Sequence, residues 1–318
     1  MQVNLYLHKD TFCYNGTDSR EDLVNKLNLL TNDLAKIKST NGSNIVNILV
    51  SSDLSITDIY QKENIFNLLE EVSTEAKILF YSIIGNTSED CDSTIEEIKK
   101  KCTYKKDEEE CNSLVYLNVP EETSEVKNYS KKPYIQFDNY EIIYNFQTWQ
   151  TLERQILGNH PGDSNHFLTE CKRLFNNIYF HQNCEITLSE VVDKIPRAIV
   201  CHLACMNDNM QKFLKNSGTK QANDLLMEFA GEFHLCEGSL NRSGRYKSIL
   251  TFEFPTTKDP NQKAKKYCDP HFKLDKCDSN CESFGTKEEL IYGRIYFNFG
   301  DPEVANGKLL VGWIGKHA

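Results

Sequence analysis

Over its first 125 residues the chain alternates short apolar, β-branched runs with longer segments whose apolar residues recur every three or four positions. The short runs predict β-strands, and the periodic segments predict amphipathic helices. In chain order the predicted strands are 3–8, 44–52, 76–85 and 113–120, and the predicted helices are 20–39, 56–74 and 93–102. Such alternation favours a mostly parallel sheet flanked by helices, because parallel neighbours need a crossover connection. We therefore predict an α/β domain of the doubly wound class over residues 1–125.

A nucleotide site in a doubly wound domain normally shows a glycine-rich turn after the first strand. Here that turn, residues 8–22, reads HKDTFCYNGTDSRED and contains a single glycine. Neither G-x-G-x-x-G nor G-K-[ST] is present. The sequence therefore argues against a dinucleotide or P-loop site in this domain.

The second half of the chain has a different order of elements. A polar, charged segment bounded by prolines, PEETSEVKNYSKKP, leads into it, and we assign 126–155 to a linker or connecting strands. From 156 to 318 the helical patterns come first, at 164–180, 187–218 and 220–239, and the strand-like runs follow, at 247–254, 290–300 and 307–315. Helices followed by strands predict an α+β domain that ends in an antiparallel sheet. A length of 318 residues fits two domains.

Charge is distributed unevenly along the chain. Residues 1–150 hold 15 Lys and Arg against 25 Asp and Glu, whereas residues 239–318 hold 13 against 10. An acidic surface repels phosphate backbones, so we expect any nucleic-acid contact to fall in the C-terminal half. We expect the partner to be another protein in the first instance.

Hydropathy and cysteine usage bear on compartment. No apolar run approaches the twenty or so residues that cross a bilayer, and the opening MQVNLYLHKD lacks the pattern of a secretion signal. We therefore expect a cytoplasmic protein without a membrane contact. In a reducing compartment the twelve cysteines would be free thiols or metal ligands.

Three thiols and an imidazole lie within fifteen positions in YCDPHFKLDKCDSNC, residues 267–281. Cys268, His271, Cys277 and Cys281 form the pattern C-x2-H-x5-C-x3-C, which resembles the paired ligand spacing of a structural zinc site. The gap between the pairs is short and carries the charged KLDK, which offers no core. The alternative is a metal-free loop in which Cys268 and His271 pack inward and the other two thiols are exposed. We favour the metal-free loop. A separate group, Cys201, His202 and Cys205, lies in an apolar helical pattern and predicts core packing.

The C-terminal stretch YGRIYFNFGDPEVANGKLLVGWIGKHA predicts a β-hairpin, because two alternating runs flank a turn rich in Gly, Pro and Asn. Alternation puts Arg294, Tyr296 and Asn298 on one face and Ile295, Phe297 and Phe299 on the other. Together with Lys316 and His317, Arg294 and Tyr296 are candidate catalytic residues: the cations would hold phosphate, and the imidazole and phenol would transfer protons. The simpler interpretation, which we favour, is a hairpin with one polar, solvated face.

The residues GRIYF and GKLLVGWIGKH resemble the closing strands of the RelE/ParE-like toxin fold. The likeness covers about 25 of the 318 residues. The segment from 165 to 318, with CDPHFKL before these strands, also resembles uncharacterised bacterial proteins from mobile-element and phage-defence neighbourhoods. These resemblances imply a bacterial accessory or antiviral defence role, and they supply no catalytic residues.

Two functional hypotheses follow. The first is a non-catalytic component of a bacterial defence or toxin-type system that acts through protein contacts. The second is a nucleic-acid-acting, RNase-like enzyme whose site is the C-terminal sheet. The only cofactor that the sequence suggests is structural zinc.

Overall fold

The computed structural model describes residues 1–14, 16–40, 42–85, 93–105, 108–117, 135, 137, 139–140, 142–218, 220–240, 246–274 and 293–318. The chain divides into two compact units. The N-terminal unit comprises Met1–Asn128 and Asp138–Glu153, and the C-terminal unit comprises Tyr129–Phe137 and Arg154–Ala318.

The N-terminal unit contains both strands and helices. The strands are β1 (Gln2–Leu7), β2 (Ile45–Val50), β3 (Asp58–Tyr60), β4 (Glu63–Asn64) and β5 (Glu110–Leu114). The helices are α1 (Lys9–Phe12), α2 (Arg20–Ser39), α3 (Ile65–Leu69), α4 (Thr74–Gly85) and α5 (Ile95–Lys101), and α6 (Phe146–Asn159) spans the division between the units. Among the described residues, no helix has the length and apolar character required to cross a bilayer.

Strands β1, β2 and β5 form a sheet in the order β2-β1-β5, and both pairings are parallel. The prediction of a parallel N-terminal sheet is thereby confirmed. Helix α2 begins where predicted because Ser19 and Asp22 form a capping box, in which each side chain satisfies a backbone amide of the first turn.

A row of asparagines crosses this sheet in register. Asn4 on β1 lies opposite Asn47 on β2 and Asn112 on β5. The Asn4 amide donates to Asn112 over 3.1 Å and accepts from Asn47 over 3.1 Å. Because a slip by one residue would break every one of these bonds, the row favours this register over its neighbours.

The predicted strand 76–85 is wrong, because these residues belong to helix α4. A short apolar run does not by itself distinguish a strand from a helix. Here the buried residues Ala76, Phe80 and Ile83 recur at helical spacing, and the Ser73 hydroxyl accepts from the amide of Ala76 at the start of the helix.

The predicted helix 56–74 is also wrong over its first half. Strands β3 and β4 form a small antiparallel hairpin there, whose turn places Gln61 and Lys62 at φ of 40° and 74°. Helix α3 starts only after Asn64, whose side chain accepts from the amides of Phe66 and Asn67. The helical periodicity of the sequence holds over α3 alone.

The C-terminal unit consists of a block of helices followed by strands. After α6 the helices are α7 (Ser164–Leu174), α8 (Asn183–Leu188), α9 (Pro196–Cys205), a π-helical segment (Met206–Met210), α10 (Gln211–Asn216) and α11 (Ala222–Glu232). The strands are β6 (Ile178–Phe180), β7 (Gly238–Ser239), β8 (Thr251–Pro255), β9 (Lys263–Tyr267), β10 (His271–Lys273), β11 (Gly293–Asn298) and β12 (Leu309–Lys316).

Five of these strands form a mixed sheet in the order β6-β12-β11-β10-β7. The predicted hairpin of β11 and β12 is antiparallel, as are the pairings of β10, and β6 joins β12 in parallel. A helical block and a C-terminal sheet with antiparallel strands are thereby confirmed. Residues 178–180, predicted as the end of a helix, are instead strand β6.

Both faces of this sheet are covered, so the favoured expectation of a polar, solvated face is wrong. Ile295 and Phe297 pack into a core shared with the helices. Tyr296, on the opposite face, packs into a second core with residues of β8, including Phe252 and Phe254. The alternation of side chains along β11 was predicted correctly, but the second covering layer was not.

The covering layer is the antiparallel hairpin of β8 and β9. The polar segment PTTKDPNQKAKK leads into this hairpin, and Lys263–Tyr267 pairs along its whole length with Thr251–Pro255. Backbone hydrogen bonds between the strands order this segment, and polar side chains do not prevent that.

The π-helical segment joins α9 to α10 and turns two polar side chains inward. Asp208 receives two hydrogen bonds from the buried guanidinium of Arg154, at 2.6 Å and 3.0 Å. Asn207 accepts from the backbone amide of Asn177 over 2.8 Å. The π-turn therefore places Asn207 against the loop that leads into β6 and Asp208 beside Arg154 of α6.

Candidate functional site on the C-terminal unit

The four predicted catalytic residues lie on β11 and at the end of β12, at different depths. Arg294 and Tyr296 on β11 are 6% and 0% exposed, whereas Lys316 and His317 are exposed at the end of β12. The rings of Tyr296 and His317 meet edge to face with centroids 6.4 Å apart. The structure therefore brings Tyr296 and His317 into contact, and it places Lys316 opposite Gly293 on the neighbouring strand.

Three polar side chains form a transverse row across the sheet. Ser239 on β7 lies opposite His271 on β10, which lies opposite Tyr296 on β11. Ser239 Oγ is 3.1 Å from His271 Nε2, and the imidazole faces the Tyr296 ring with centroids 4.6 Å apart. Sequence reasoning considered His271 as a metal ligand or as an inward-packed side chain. It missed Ser239, which belongs to a strand of two residues.

The hydrogen bonds of His271 determine its tautomer. Nδ1 is 3.0 Å from the carbonyl oxygen of Asp269, which can only accept, so Nδ1 carries the proton. Nε2 then accepts from the hydroxyl of Ser239. Burial lowers the pKa of His271, and the charges of Arg294 and Lys273 lower it further. The imidazole is therefore neutral at pH 7.

The structure describes two of the four proposed zinc ligands, Cys268 and His271; Cys277 and Cys281 lie outside the described residues. The thiol of Cys268 is 3.7 Å from the carbonyl oxygen of Leu310, and burial raises its pKa well above the ordinary value. Within the described part of the chain, no three His, Cys, Asp or Glu side chains converge as a metal site would require. Zinc at this position stays a prediction.

The other cysteine and histidine group is part of the core. Cys201, His202 and Cys205 are fully buried in α9, in agreement with the packing interpretation. His202 donates from Nδ1 to the carbonyl oxygen of Ala198 over 2.7 Å and accepts at Nε2 from the amide of Cys236 over 3.0 Å. Burial lowers the pKa of His202 to about 4. Cys201 and Cys205 are free thiols, as expected, whereas Cys236 is disulfide-bonded.

An open groove of about 930 Å³ lies between the end of β6 and the β8–β9 hairpin. Among the residues that the structure describes, three lysines and one glutamate supply its charges: Lys247, Lys263, Lys265 and Glu253. The remaining lining consists of aromatic, hydroxyl and amide side chains together with one histidine: Tyr179, His181, Gln182, Ser248, Thr251 and Phe252. We name this feature the basic groove. It combines positive charge with aromatic surface.

The three lysines differ in whether a carboxylate of the described residues pairs with them. Lys265 lies 3.8 Å from Glu253, an exposed cross-strand pair. Among the residues that the structure describes, neither Lys247 nor Lys263 forms an ion pair, and both are exposed. An anion in the groove would therefore gain Coulomb attraction without first breaking a protein ion pair at these positions.

The imidazole of His181 forms part of the groove wall. Its ring contacts Phe252 and Phe254, with centroids 5.0 Å and 5.5 Å away. Its Nδ1 accepts from the amide of Asn183 over 3.1 Å, so the neutral ring carries its proton on Nε2. Burial lowers the pKa of His181, and the charge of Lys263 lowers it further. At pH 7 His181 therefore offers a neutral N–H donor.

Sequence reasoning missed the basic groove, although one signal for it was present. Lys263 and Lys265 are two residues apart on a strand, which puts them on the same face. The spacing indicates a shared face only if KAKKY, residues 263–267, forms a strand. The polar composition of this segment argued against a strand. Tyr179 and His181 lie more than eighty residues earlier in the sequence. They approach the lysines only because β6 pairs with β12 in the sheet that the β8–β9 hairpin covers.

Function is inferred from the fold and from the geometry of the basic groove. The likeness of the last strands to the RelE/ParE-like toxin fold stays a prediction. Comparisons of the chain with family models, with curated proteins and with solved structures gave no match.

Proposed function

We propose that the C-terminal unit binds nucleic acid through the basic groove. The observation that supports this proposal is the set of three lysines around an open cleft that also has aromatic walls. Neutralising phosphates with lysine releases condensed counterions, which makes such binding favourable and strongly dependent on salt. Tyrosine, histidine and hydroxyl groups add contacts to sugars and bases.

The charge of the chain agrees with a contact restricted to this unit. Residues 1–150 carry ten more acidic than basic side chains, whereas residues 151–318 hold 21 of each. Over the acidic part a phosphate backbone is repelled, so the groove is the favoured approach. The affinity should be moderate, because three lysines contact few phosphates.

Fluorescence anisotropy with labelled 20-residue RNA and DNA oligonucleotides tests the proposal. The full-length protein should bind at low salt, with affinity falling steeply as salt rises. In the Lys247→Gln, Lys263→Gln double variant, the slope of log affinity against log salt should become less steep by about 1.4, since each phosphate contact to a single strand contributes about 0.7.

A matched control is Lys172→Gln, Lys215→Gln, which removes the same charge from exposed positions of the same unit outside the groove. The control should retain most of the wild-type affinity and slope. Absence of binding by the wild type at low salt would disprove the proposal, and so would equal losses in the two double variants.

A second candidate is the non-catalytic component of a bacterial defence or toxin-type system, acting through protein contacts. Helix α4 favours it, because Ile78 and Tyr81 are 63% and 47% exposed on the side of the helix away from its buried residues Ala76, Phe80 and Ile83. Exposed apolar side chains on one helix are suited to a protein partner. A partner that co-purifies with the wild type but not with Ile78→Ser, Tyr81→Ser would support this role, and an unchanged set of partners would oppose it.

The enzymatic hypothesis assigns phosphate binding to Arg294 and Lys316, and proton transfer to Tyr296 and His317. The contact between the Tyr296 and His317 rings supports it, whereas the burial of Arg294 limits its access to phosphate. Loss of RNA or DNA in cells that express the wild type, but not Arg294→Ala, His317→Ala, would support it. Equal, harmless behaviour would oppose it.

We further propose that the two units are separate domains of a cytoplasmic protein, the first of them doubly wound. The parallel order β2-β1-β5 with crossover helices supports the doubly wound assignment.

Structural zinc at Cys268, His271, Cys277 and Cys281 is the remaining proposal. Elemental analysis of protein purified without added metal tests it, with Cys277→Ser, Cys281→Ser as the variant that should lose the metal.

A further inference from the structure

The lysines and the aromatic rings of the basic groove differ in the part of a nucleic acid that they can contact. Lys247, Lys263 and Lys265 supply exposed ammonium groups, while Tyr179 and His181 supply partly exposed rings. Lysine contacts phosphates on single strands and on duplexes alike, so the lysines alone give no preference for a single strand. An aromatic ring can stack on a base only where the base is unpaired, because a duplex hides the faces of its bases.

The ring of Tyr179 is held in place on the groove wall. It meets the buried ring of Phe254 edge to face, with centroids 5.8 Å apart. Its backbone pairs with Leu310 in the parallel ladder between β6 and β12. Both contacts fix the ring before any ligand arrives, so stacking on Tyr179 requires little ordering of the protein.

The ring of His181 is fixed in the same way. Contacts with Phe252 and Phe254 hold its plane, and the hydrogen bond from the Asn183 amide holds its orientation. Only Phe180 separates Tyr179 from His181 along the chain, so both rings follow the same edge of the sheet. The two rings form a short aromatic strip beside the lysines.

We propose that the basic groove selects single-stranded over double-stranded nucleic acid by stacking an unpaired base on Tyr179. This inference rests on the proposed function and specifies its ligand. His181 would act beside the stacked base as a neutral donor, and Lys247 and Lys263 would contact the phosphates on either side. Stacking tolerates every base, so the selectivity is for strandedness and not for sequence.

Three probes of equal length separate base stacking from phosphate contact: a 12-residue oligothymidylate, an abasic 12-mer with the same phosphates, and the duplex of the oligothymidylate with its complement. Anisotropy titrations with the full-length protein should rank the oligothymidylate tightest, by about tenfold over the abasic strand, since each stacked base contributes roughly that factor or more.

The Tyr179→Leu variant removes the ring but keeps an apolar side chain. It should lose about tenfold in affinity for the oligothymidylate and leave the affinity for the abasic strand unchanged. Tyr14→Leu, which removes an exposed tyrosine of the N-terminal unit, is the matched control and should bind all three probes as the wild type does. Circular dichroism checks that both variants are folded.

The outcomes distinguish failure of the inference from failure of the proposed function. If none of the three probes binds, nucleic-acid binding itself is wrong. Should the duplex bind as tightly as the single strand, or Tyr179→Leu weaken the abasic and thymidylate strands equally, nucleic-acid binding stands and the stacking inference is overturned.

Discussion

Asn4 donates to Asn112 from the neighbouring parallel strand over 3.1 Å, and the same Asn112 oxygen accepts from the Tyr6 hydroxyl over 3.1 Å. Asn112→Ala should therefore lower the free energy of unfolding of the N-terminal unit by about 2 kcal/mol, because two donors lose a buried acceptor. Urea denaturation in a Trp313→Phe background checks this, since Trp149 is then the one remaining tryptophan of the sequence.

Asn47→Ala is the graded control for this row. Asn47 makes one hydrogen bond to Asn4 and is only partly buried, so its removal should cost less than that of Asn112. Equal midpoints for the wild type and Asn112→Ala would contradict a stabilising role for the row.

Gly312 on β12 allows the β8–β9 hairpin to pack closely on the sheet. A Cβ at this position would lie 2.3 Å from ring atoms of Phe252 and 3.0 Å from the sulfur of Cys268. Gly312→Ala should therefore destabilise the C-terminal unit by about 2 kcal/mol, as overpacking of a core does. Fluorescence of Trp313 in a Trp149→Phe background reports the transition.

Gly231→Ala is the control for that substitution. Gly231 lies in helix α11, and a Cβ there would meet no atom within 4 Å. It should stabilise the unit slightly, by about 0.5–1 kcal/mol, because alanine is the better helix former. Because the new Cβ would meet the ring of Phe252, Phe252→Leu should reduce the destabilisation caused by Gly312→Ala. Additive effects of the two substitutions on the free energy of unfolding would contradict this.

Much of the architecture could be predicted from the sequence because local patterns were strong there. Strands β1 and β2, the capped helix α2 and the hairpin of β11 and β12 all show clear periodicity or turn chemistry. Helix α4 was missed because an apolar helix and a buried strand have the same composition over ten residues. Strands β7 and β10 were missed because two or three residues are too few to show a period.

The candidate site was harder to predict than the fold, since its residues are distant in sequence. Tyr179 and Lys247 meet only through sheet pairing and through a hairpin that covers the sheet. The burial of Tyr296 has the same origin: alternation predicted which face it is on, but nothing local indicated that Phe252 and Phe254 would cover that face. Pairing between distant strands is decided by tertiary packing, to which a single sequence offers little access.

The ion pair of Arg154 and Asp208 should contribute measurably to stability. The guanidinium is 8% exposed and bonds both carboxylate oxygens, and Arg154 also contacts the ring of Phe175 at 5.2 Å. Asp208→Ala leaves a buried cation without its carboxylate and should cost about 2–3 kcal/mol, somewhat less than for a fully buried pair because Asp208 is 28% exposed.

The matched control for that pair is Glu228→Ala, which breaks an exposed ion pair with Lys220. It should change the free energy of unfolding by no more than about 0.5 kcal/mol. Both variants are compared by urea denaturation followed through Trp313, and similar small effects would show that burial of Arg154 does not strengthen its pair.

The buried imidazole of His202 should make the C-terminal unit less stable in acid. Its pKa is about 4 in the folded chain, because burial disfavours the charged ring, against about 6.5 when unfolded. Between these values the unfolded state binds a proton that the folded state does not, so stability rises with pH from about 4 to 6.5 and is flat above. The contribution amounts to about 3 kcal/mol across that window.

His202→Gln keeps a donor for Ala198 and an acceptor for the Cys236 amide but cannot titrate, so its stability should depend less steeply on pH between 4 and 6.5. Urea midpoints at pH 4.5, 5.5 and 7 test this. The control is the exposed variant His317→Gln, whose stability should depend on pH as steeply as that of the wild type. Equal slopes of stability against pH for His202→Gln and the wild type would show that His202 is not the titrating group.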